Sequence, residues 1–434
     1  MKSILKQTIV YLLTLEAKLV LKKYKPKIVG ITGSVGKTST KDAIYSVLAT
    51  QFFVRKSEKS FNSEIGVPLT ILGARNGWGN PFIWLANLLR GLGLIIFPFN
   101  YPDWLVIEIG ADRPLDIKTL ASWVKPDIAV ITRIGNIPVH VEFFTSRAQL
   151  IEEKSYLARY MKEGGTLIVN GDDADAVSFI GLTKNKSLTV SLEGEGDVVA
   201  SHSLISYRKQ ENGEEVPVGI NFKANLAGSS VPVNLTGVLG IQHVYPSLFA
   251  IAIGLSQNLN ILTLCEAISG EIKTPGRMKI LPGIKNTIII DDTYNSSPVA
   301  LSEALKTLLE ISVKKRKIAI LGDMMELGAH SKDEHLHAGK LVASVAHILI
   351  TVGIRARDIA EGAQLNGMSE KNVFQFDDAK DSFSFLDGLL IEGDIVLVKG
   401  SQSVRMEKIV EEIMEHPEDK EKLLVRQDRE WRRR

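Results

Sequence analysis

Residues 27–41 read Lys-Ile-Val-Gly-Ile-Thr-Gly-Ser-Val-Gly-Lys-Thr-Ser-Thr-Lys, and the rest of the chain is best understood outward from them. The apolar run at 28–31 predicts a buried parallel strand. The loop 32–38 follows this run, and after it apolar residues recur at the spacing of one helix face. A strand, a glycine-rich loop and a helix in this order predict a phosphate-binding site.

The residues of this loop suit phosphate chemistry. Gly33 and Gly36 allow the backbone to turn its N–H groups toward an anion, and the helix N-terminus adds the positive end of a dipole. Lys37 would reach the β- and γ-phosphates, and the Thr38 hydroxyl would bind Mg²⁺. The general pattern has its first glycine where this chain has Ile31. An ordinary strand-to-helix turn is therefore the alternative interpretation.

Composition sets the broad class of the protein. A chain of 434 residues, 45% hydrophobic and 24% charged, predicts a globular protein of about two or three domains. The net charge of +2 does not indicate a nucleic-acid partner. The single cysteine, Cys265, excludes a disulfide framework and a cysteine-based zinc site. No cleavable signal peptide is apparent, so we expect a cytoplasmic location.

Residues 1–25 combine a broad apolar face with several lysines. Glu16 and Lys18 interrupt the apolar run, so a membrane-spanning helix is not predicted. Two interpretations remain: an amphipathic helix packed on the adjacent domain, or an interfacial helix on an anionic membrane.

Residues 81–102 form a second apolar segment, which Arg90, Gly91 and Gly93 interrupt. It is too short and too interrupted to predict a transmembrane helix. We expect a hydrophobic hairpin packed on residues 1–25, and contact with a membrane or a lipid-linked substrate is the alternative.

Ionisable residues follow further apolar runs. Glu108 lies near the C-terminal end of the strand predicted at 103–110, His140 follows the strand predicted at 126–135, and Lys154 lies in the next helical stretch. Ligands of open α/β sheets bind at the carboxyl ends of strands, where a carboxylate suits Mg²⁺. Taken singly, each of these side chains is also explained as a solvated surface group.

The second half of the chain changes pattern twice. Residues 187–240 alternate polar and apolar side chains and predict a smaller β-rich part, and a helical stretch follows at 241–270. A second doubly wound α/β unit then begins near residue 274. Its predicted strands lie at 287–291, 317–321, 347–352 and 394–398. The basic residues 426–434 are expected to form a solvated tail.

Taken together, these landmarks resemble the Mur ligase family, ATP-dependent amide-forming enzymes of bacterial wall synthesis. The resemblance covers about residues 26–410. The stretches that carry it are 32–38, Asn62, 66–70, 108–111, 140–142, Lys154, 170–173, 275–277, 291–295, 322–328 and 399–401. Two positions depart from the family pattern: Gln242-His243 stands where His-Asn is usual, and Ser297 where Asn is usual.

The resemblance implies two domains, and the residue patterns add a helix before them and an insertion, at 81–102, that has no obvious counterpart in the family. Residues 1–25 would be an N-terminal amphipathic helix. Residues 26–273 would form a central ATP-binding domain with a P-loop-type parallel sheet and an apolar insertion at 81–102. Residues 274–434 would form a C-terminal Rossmann-like α/β domain that ends in the basic tail.

The resemblance also implies roles for matched residues, with ATP and Mg²⁺ as cofactors. The implied nucleotide-binding residues are Thr32, Gly33, Ser34, Val35, Gly36, Lys37, Thr38, Asn62, Arg277, Asp292, Tyr294 and Asn295. The implied metal-site residues are Thr38, Glu108, His140 and Lys154. The implied catalytic residues are Lys37, His140, Lys154 and Arg277. Lys154 would be carbamylated by CO₂, which converts it into an anion able to bind Mg²⁺.

Within the family, the sequence most resembles the members that join D-alanyl-D-alanine to a UDP-N-acetylmuramoyl-tripeptide through an acyl phosphate. Those members carry an N-terminal domain for the UDP end of the substrate, and we expect that domain to be absent because the phosphate loop begins near residue 32. A Mur-like ligase for another carboxylate and amine, such as a lipid-linked muropeptide or a poly-amino-acid precursor, is the alternative. A non-catalytic nucleotide-binding protein at a membrane surface is a third hypothesis.

We expect the protein to bind small-molecule substrates and no nucleic acid. We also expect it to be a monomer. The expected location is the cytoplasm, at the inner face of the membrane if the segments 1–25 and 81–102 bind lipid.

Overall fold

The computed structural model describes residues 3–58, 61–134, 144, 146–192, 194–210, 213–226, 228–272, 274–428 and 431. The chain forms two compact units. The first contains Met1–Ser201, Lys223–Pro232 and Val244–Ile268, and the second contains His202–Phe222, Val233–His243 and Ser269–Arg434.

The α-helices are α1 (Ser3–Tyr24), α2 (Lys37–Leu48), α3 (Gly66–Leu72), α4 (Pro81–Ile96), α5 (Asp116–Val124), α6 (Arg147–Arg159), α7 (Ala174–Ser178), α8 (Val244–Ser256), α9 (Ile261–Ile268), α10 (Pro298–Glu310), α11 (Ser331–Ala343), α12 (Arg357–Leu365), α13 (Phe383–Leu389), α14 (Glu407–Ile413) and α15 (Lys420–Leu423). The strands are β1 (Lys27–Thr32), β2 (Val54–Lys56), β3 (Trp104–Glu108), β4 (Ile128–Ile131), β5 (Thr166–Asn170), β6 (Lys186–Ser191), β7 (Val198–Lys209), β8 (Glu215–Leu226), β9 (Ser229–Thr236), β10 (Gly270–Glu271), β11 (Lys279–Gly283), β12 (Thr287–Asp292), β13 (Lys317–Gly322), β14 (Ile348–Val352), β15 (Val373–Phe376) and β16 (Ile395–Lys399).

The first unit is built on parallel strands in the order β2-β3-β1-β4-β5-β6. These strands are nearly continuous apolar runs because helices cover both faces of the sheet. Helices α1, α3, α5 and α6 supply apolar side chains to the core on one face of the sheet. Helices α2 and α8 also contact strands of the sheet, and their residues are not part of that core. Ile31 pairs with both Glu108 and Val130, so the carboxyl ends of β1, β3 and β4 lie side by side.

The second unit contains a sheet in the order β11-β12-β16-β13-β14-β15, parallel except for the antiparallel edge strand β11. Apolar clusters pack on both of its sides. The predicted fold class is therefore confirmed: a P-loop-type parallel sheet, a β-rich part over β6 to β9 and a second doubly wound α/β sheet.

The hairpin predicted at residues 81–102 was wrong, because residues Pro81–Ile96 form the single helix α4. The predicted packing of this segment on residues 1–25 is confirmed, because α4 packs on α1. Gly91 does not break this helix. A Cβ atom at Gly91 would lie 2.0 Å from Oε2 of Glu16, so the glycine allows α1 to approach closely. Among the described residues, no helix is both long enough and apolar enough to cross a membrane.

Glu16 gives the α1–α4 contact a pH dependence. The residue is 7% exposed, and its Oε2 has no hydrogen-bond partner in the described part of the chain. Burial raises the pKa of this carboxyl from 4.5 to about 7. Because the folded state favours the protonated form, the contribution of Glu16 to stability falls as the pH rises from about 4.5 through 7.

We expect Glu16→Gln to increase the free energy of unfolding by about 2–3 kcal/mol at pH 8 and to change it little at pH 5. The amide resembles the protonated carboxyl and does not ionise. Urea unfolding at both pH values measures this difference, with the exposed Glu163→Gln as control. Equal changes at pH 5 and pH 8 would contradict it.

The prediction that residues 426–434 form a solvated tail is wrong for its first residue, Arg426. The Arg426 side chain is 6% exposed, and its guanidinium donates to the Thr293 carbonyl at 3.0 Å, to the Tyr294 carbonyl and to Glu407 at 2.9 Å. Arg405 also pairs with Glu407. A buried carboxylate needs such partners, and these lie far from Arg426 in sequence.

We expect Arg426→Ala to lower the free energy of unfolding by about 2–3 kcal/mol, because Glu407 keeps only Arg405 and two loop carbonyls lose a donor. Chemical denaturation measures the loss. The exposed Lys371→Ala is a matched removal of a positive charge and should have almost no effect. A loss no larger than that of the control would show that Arg426 does not stabilise the loop that contains Thr293 and Tyr294.

Candidate active site

The loop after β1 requires glycine at two positions. Gly33 has φ +145° and Gly36 has φ +86°, a region that L-residues rarely adopt. At Gly33 a Cβ would also lie 1.9 Å from Oγ1 of Thr132. The Thr132 hydroxyl donates to the Val35 carbonyl at 2.8 Å, which ties the loop to the chain after β4.

The interior of the loop is polar and incompletely satisfied. The Lys37 ammonium donates to the Gly33 carbonyl at 2.8 Å. The buried hydroxyls of Thr32, Ser34 and Thr40 have no hydrogen-bond partner among the residues that the structure describes. Buried hydroxyls without partners are costly unless a ligand satisfies them. Together with the start of α2 at Lys37, they fit a phosphate group.

Three predicted residues of the first unit meet at the carboxyl end of β3. The Thr38 hydroxyl donates to Oε2 of Glu108 at 3.0 Å, and Nδ2 of Asn62 lies 3.4 Å from Oε1 of Glu108. Glu108 is buried. A hydroxyl and a carboxylate side by side are hard oxygen ligands, so this pair fits Mg²⁺.

Lys154 of α6 is also buried, with 5% of its surface exposed. Burial, together with the smaller effect of the nearby positive charge of Lys37, lowers the pKa of its ammonium from 10.5 to about 7, while Glu153 opposes the change. In a large share of the molecules, Lys154 is therefore an uncharged amine at neutral pH. An uncharged amine is a nucleophile, which an ordinary surface lysine is not.

Glu153, next to this lysine, is a positioning residue that the sequence interpretation missed. Its carboxylate accepts N–H groups from Leu115 at 2.7 Å and Ile117 at 2.6 Å, which caps the N-terminus of α5. A carboxylate is favoured at a helix N-terminus. The cap fixes α6 against α5, and so fixes Lys154. The adjacent acids Glu152 and Glu153 were a signal, but their partners are not evident from sequence.

His140 and Glu142, which the sequence pointed to, lie outside the described residues. Within the described ranges, no group of three or more His, Cys, Asp and Glu side chains is placed to hold a metal ion. Of the four predicted metal-site residues, the structure thus describes Thr38, Glu108 and Lys154, and it places the Thr38 hydroxyl in contact with Glu108.

The acidic residues after β5 have structural partners. Asp173 accepts the N–H groups of Asp175 and Ala176 and caps α7, while Asp172 accepts the Leu192 N–H at 2.6 Å and the Tyr245 hydroxyl at 2.8 Å. These bonds give Asp172 and Asp173, the two acids of the stretch 170–173, a structural role.

In the second unit, two buried acids organise the loop after β12. Asp291 accepts the Thr293 hydroxyl at 2.6 Å, and burial raises the pKa of Asp291 to about 6. Asp292 forms an ion pair with Lys399 at 2.7 Å, and the Lys399 ammonium also donates to the Asn295 carbonyl at 2.8 Å. The loop that carries Asn295 is thus fixed to the end of β16.

Arg277 lies beside this loop. Its guanidinium stacks 4.1 Å from the centre of the Tyr294 ring, a cation–π contact. Its Nε is buried without a hydrogen-bond partner in the described part of the chain. The Arg277 carbonyl lies 2.9 Å from Nε2 of the buried His243. His243 therefore has a structural role, because it contacts the backbone of Arg277. Arg277, Asp292, Tyr294 and Asn295 thus lie in one region of the second unit.

The strand, glycine loop and helix of the first unit, with the threonine–glutamate pair beside them, define a P-loop-type nucleotide-binding α/β protein. The model of the Mur ligase middle domain matches residues 31–253, and that of the Mur ligase, glutamate ligase domain matches residues 276–402. The chain belongs to the Mur ligase family.

Individual relatives agree with this assignment. The chain is 28% identical over 403 residues to the UDP-N-acetylmuramoyl-tripeptide–D-alanyl-D-alanine ligase of Bacillus subtilis (strain 168), covering 92% of this chain and 79% of that protein. Its identity to the enzyme of that name from Escherichia coli (strain K12) is 25% over 397 residues, covering 90% and 77%. The crystal structure of MurF ligase from Thermotoga maritima in complex with ADP is similar at a TM-score of 0.74 and 26% identity, covering 93% of this chain and 83% of that one.

Proposed function

We propose that this chain is an ATP-dependent ligase of peptidoglycan precursor synthesis that joins D-alanyl-D-alanine to UDP-N-acetylmuramoyl-tripeptide and forms ADP and phosphate. The observation that carries the proposal is the grouping of the phosphate loop with Thr38, Glu108 and the buried Lys154 in a member of the Mur ligase family. Relatives that share about a quarter of their residues with this chain bear the name of that activity.

ATP would bind to the loop of the first unit. The proposed contacts are Thr32, Gly33, Ser34, Val35, Gly36, Lys37 and Thr38, with Asn62 beside Glu108. The unsatisfied hydroxyls and the Lys37 ammonium match the oxygens of a triphosphate. The similar structure of MurF ligase from Thermotoga maritima, which is in complex with ADP, supports a bound adenine nucleotide.

Mg²⁺ would be held by Thr38 and Glu108, and when bound it neutralises charge on the phosphate oxygens. We propose His140 and Lys154 as further residues of the metal site. The lowered pKa of Lys154 supports carbamylation, because only an uncharged amine can attack CO₂ and form a carbamate.

The first chemical step transfers the γ-phosphoryl group of ATP to the substrate carboxylate. One carboxylate oxygen attacks phosphorus, the bond to ADP breaks, and an acyl phosphate results. Lys37 and the loop N–H groups hold the transferring phosphate, so repulsion between the two anions is reduced.

The second step forms the amide. The uncharged amino group of D-alanyl-D-alanine attacks the carbonyl carbon, and phosphate leaves with one oxygen of the original carboxylate. The amine loses a proton as the amide forms. Holding both reactants in place supplies much of the rate enhancement of such a step.

In the second unit, Arg277, Asp292, Tyr294 and Asn295 are proposed nucleotide contacts. The unpartnered Nε of Arg277 and its stacking on Tyr294 support a role with an anionic ligand. The proposed organisation assigns residues 26–273 to a central ATP-binding domain, after an N-terminal helix at 1–25, and residues 274–434 to a C-terminal domain. We propose a cytoplasmic monomer.

The test is release of phosphate by the purified chain with ATP and Mg²⁺. We expect release when UDP-N-acetylmuramoyl-tripeptide and D-alanyl-D-alanine are present together, and none with either alone. Lys37→Ala is the matched inactive control. No release from protein that still binds ATP would overturn this pair of substrates.

A lipid-linked carboxylate substrate is the second candidate, because α1 and α4 expose large apolar side chains. The same phosphate assay with a lipid-linked muropeptide in place of the UDP-linked one separates the two substrates.

A further inference from the structure

The helix α4 is apolar around most of its circumference, with Asn87 and Arg90 as its two polar side chains, although it lies at the surface. Trp84, Gly91 and Leu94 face the protein. Phe82, Leu85, Leu89, Leu92 and Ile96 recur on the opposite side at helical spacing, and all five are exposed. A helix that is hydrophobic nearly all round is normally buried, so this face lacks a partner that would cover it.

The neighbouring helix α1 extends the same kind of surface. Leu12, Leu15 and Leu19 of α1 are exposed, although the helix packs along α4. We call the exposed apolar side chains of α4 and these three leucines the docking face. Exposed apolar side chains gathered on two helices that pack together indicate an interaction site.

The two helices are held firmly against each other. The Lys23 ammonium of α1 donates to the carbonyls of Leu94 at 2.8 Å and Phe97 at 2.6 Å, at the end of α4. The Tyr24 hydroxyl donates to the Leu94 carbonyl at 2.9 Å. These bonds satisfy carbonyls that a helix C-terminus leaves without partners. The docking face is therefore preformed.

The two segments that form the docking face carry exposed charges of one sign, and one acidic neighbour from another segment, Glu64, lies 3.5 Å from the Lys6 ammonium. Residues 73–102 include no acidic side chain, and the only acidic residue of 3–27 is Glu16, which is buried between the helices. The lysines of 3–27 are Lys6, Lys18, Lys22, Lys23, Lys25 and Lys27. A second copy of this chain would bring like charges together, whereas an anionic lipid surface complements them.

We propose that α1 and α4 dock this protein on an anionic lipid bilayer, with the docking face inserted at the boundary of headgroups and acyl chains and the surrounding lysines in contact with the headgroups. Such helices lie in the membrane plane and do not cross it. This inference does not rest on the proposed reaction, since it concerns a surface that binds lipid with or without catalysis.

The test is cosedimentation of the full chain with vesicles of phosphatidylcholine alone or mixed with phosphatidylglycerol. We expect binding to the anionic vesicles, weakened by 0.5 M NaCl, and little binding to the neutral ones. We expect Leu85→Glu with Leu89→Glu, at positions 55% and 59% exposed, to weaken binding at least ~10-fold.

Two further variants make the test specific. Leu309→Glu with Leu365→Glu replaces leucines of the second unit that are 55% and 73% exposed, and this matched control should bind as the unchanged protein does. Lys22→Glu with Lys25→Glu keeps every apolar side chain and should weaken binding to anionic vesicles. Circular dichroism verifies that each variant is folded.

Three results would overturn the proposal. One is failure of the unchanged protein to bind anionic vesicles, and another is equal binding by the Leu85→Glu, Leu89→Glu variant. The third is sedimentation velocity that shows a dimer which this variant converts to monomers, since the docking face would then be covered by a second copy.

Discussion

Lys37→Ala is expected to lower the rate of phosphate release by at least about 10²–10³-fold while the protein stays folded. In the structure the Lys37 ammonium donates to carbonyls of its own loop, at Gly33 and Ser34. With ATP bound, the same ammonium would hold the oxygens of the transferring phosphate, where charge develops in the transition state.

Steady-state phosphate release with both substrates measures this effect, and thermal unfolding verifies the fold. The exposed Lys184→Ala removes an equal charge from a surface turn of the same unit and should retain full activity. An active Lys37→Ala enzyme would show that the loop does not act on the transferred phosphate.

Lys154→Ala is expected to remove most activity, and Lys154→Glu is expected to restore part of it. A carbamylated lysine carries a carboxylate at the end of a long side chain, and glutamate supplies a shorter side chain with the same charge. A structural role for an uncharged buried amine predicts the reverse order, because alanine avoids burial of a charge and glutamate does not.

The pH dependence gives a second measurement on this residue. Because the pKa of Lys154 is lowered to about 7, the uncharged amine that CO₂ requires is lost as the pH falls below 7. Activity should fall in that range in the unchanged enzyme, and this fall should be absent in Lys154→Glu. A carbamate resonance after incubation with ¹³C-bicarbonate would report the modification directly. Full activity of Lys154→Ala would contradict the carbamate.

The central part of the fold follows from the sequence because its signals are local. The apolar run of β1, the glycines after it and the helical spacing of α2 stand within about twenty residues, so pattern alone predicts strand, loop and helix. Glu108 was assigned to a ligand site because ligands of open α/β sheets bind at the carboxyl ends of strands. The structure places its carboxylate 3.0 Å from the Thr38 hydroxyl.

The features that were missed depend on partners distant in sequence. Gly91 was interpreted as a break because the approach of Glu16 from another helix is not visible in the segment itself. Arg426 was assigned to solvent because only the folded chain brings Glu407 and two loop carbonyls to it. The edge strand β2 was missed because Val54 is the only apolar residue among its three.

The most direct test of the proposed chemistry is the fate of the substrate carboxylate oxygens. UDP-N-acetylmuramoyl-tripeptide labelled with ¹⁸O in the reacting carboxylate would be incubated with ATP, Mg²⁺ and D-alanyl-D-alanine, and the released phosphate examined by mass spectrometry. An acyl phosphate predicts one ¹⁸O atom in each phosphate and one in the new amide. Unlabelled phosphate would contradict the account, because ATP would then have been cleaved without activation of the carboxylate.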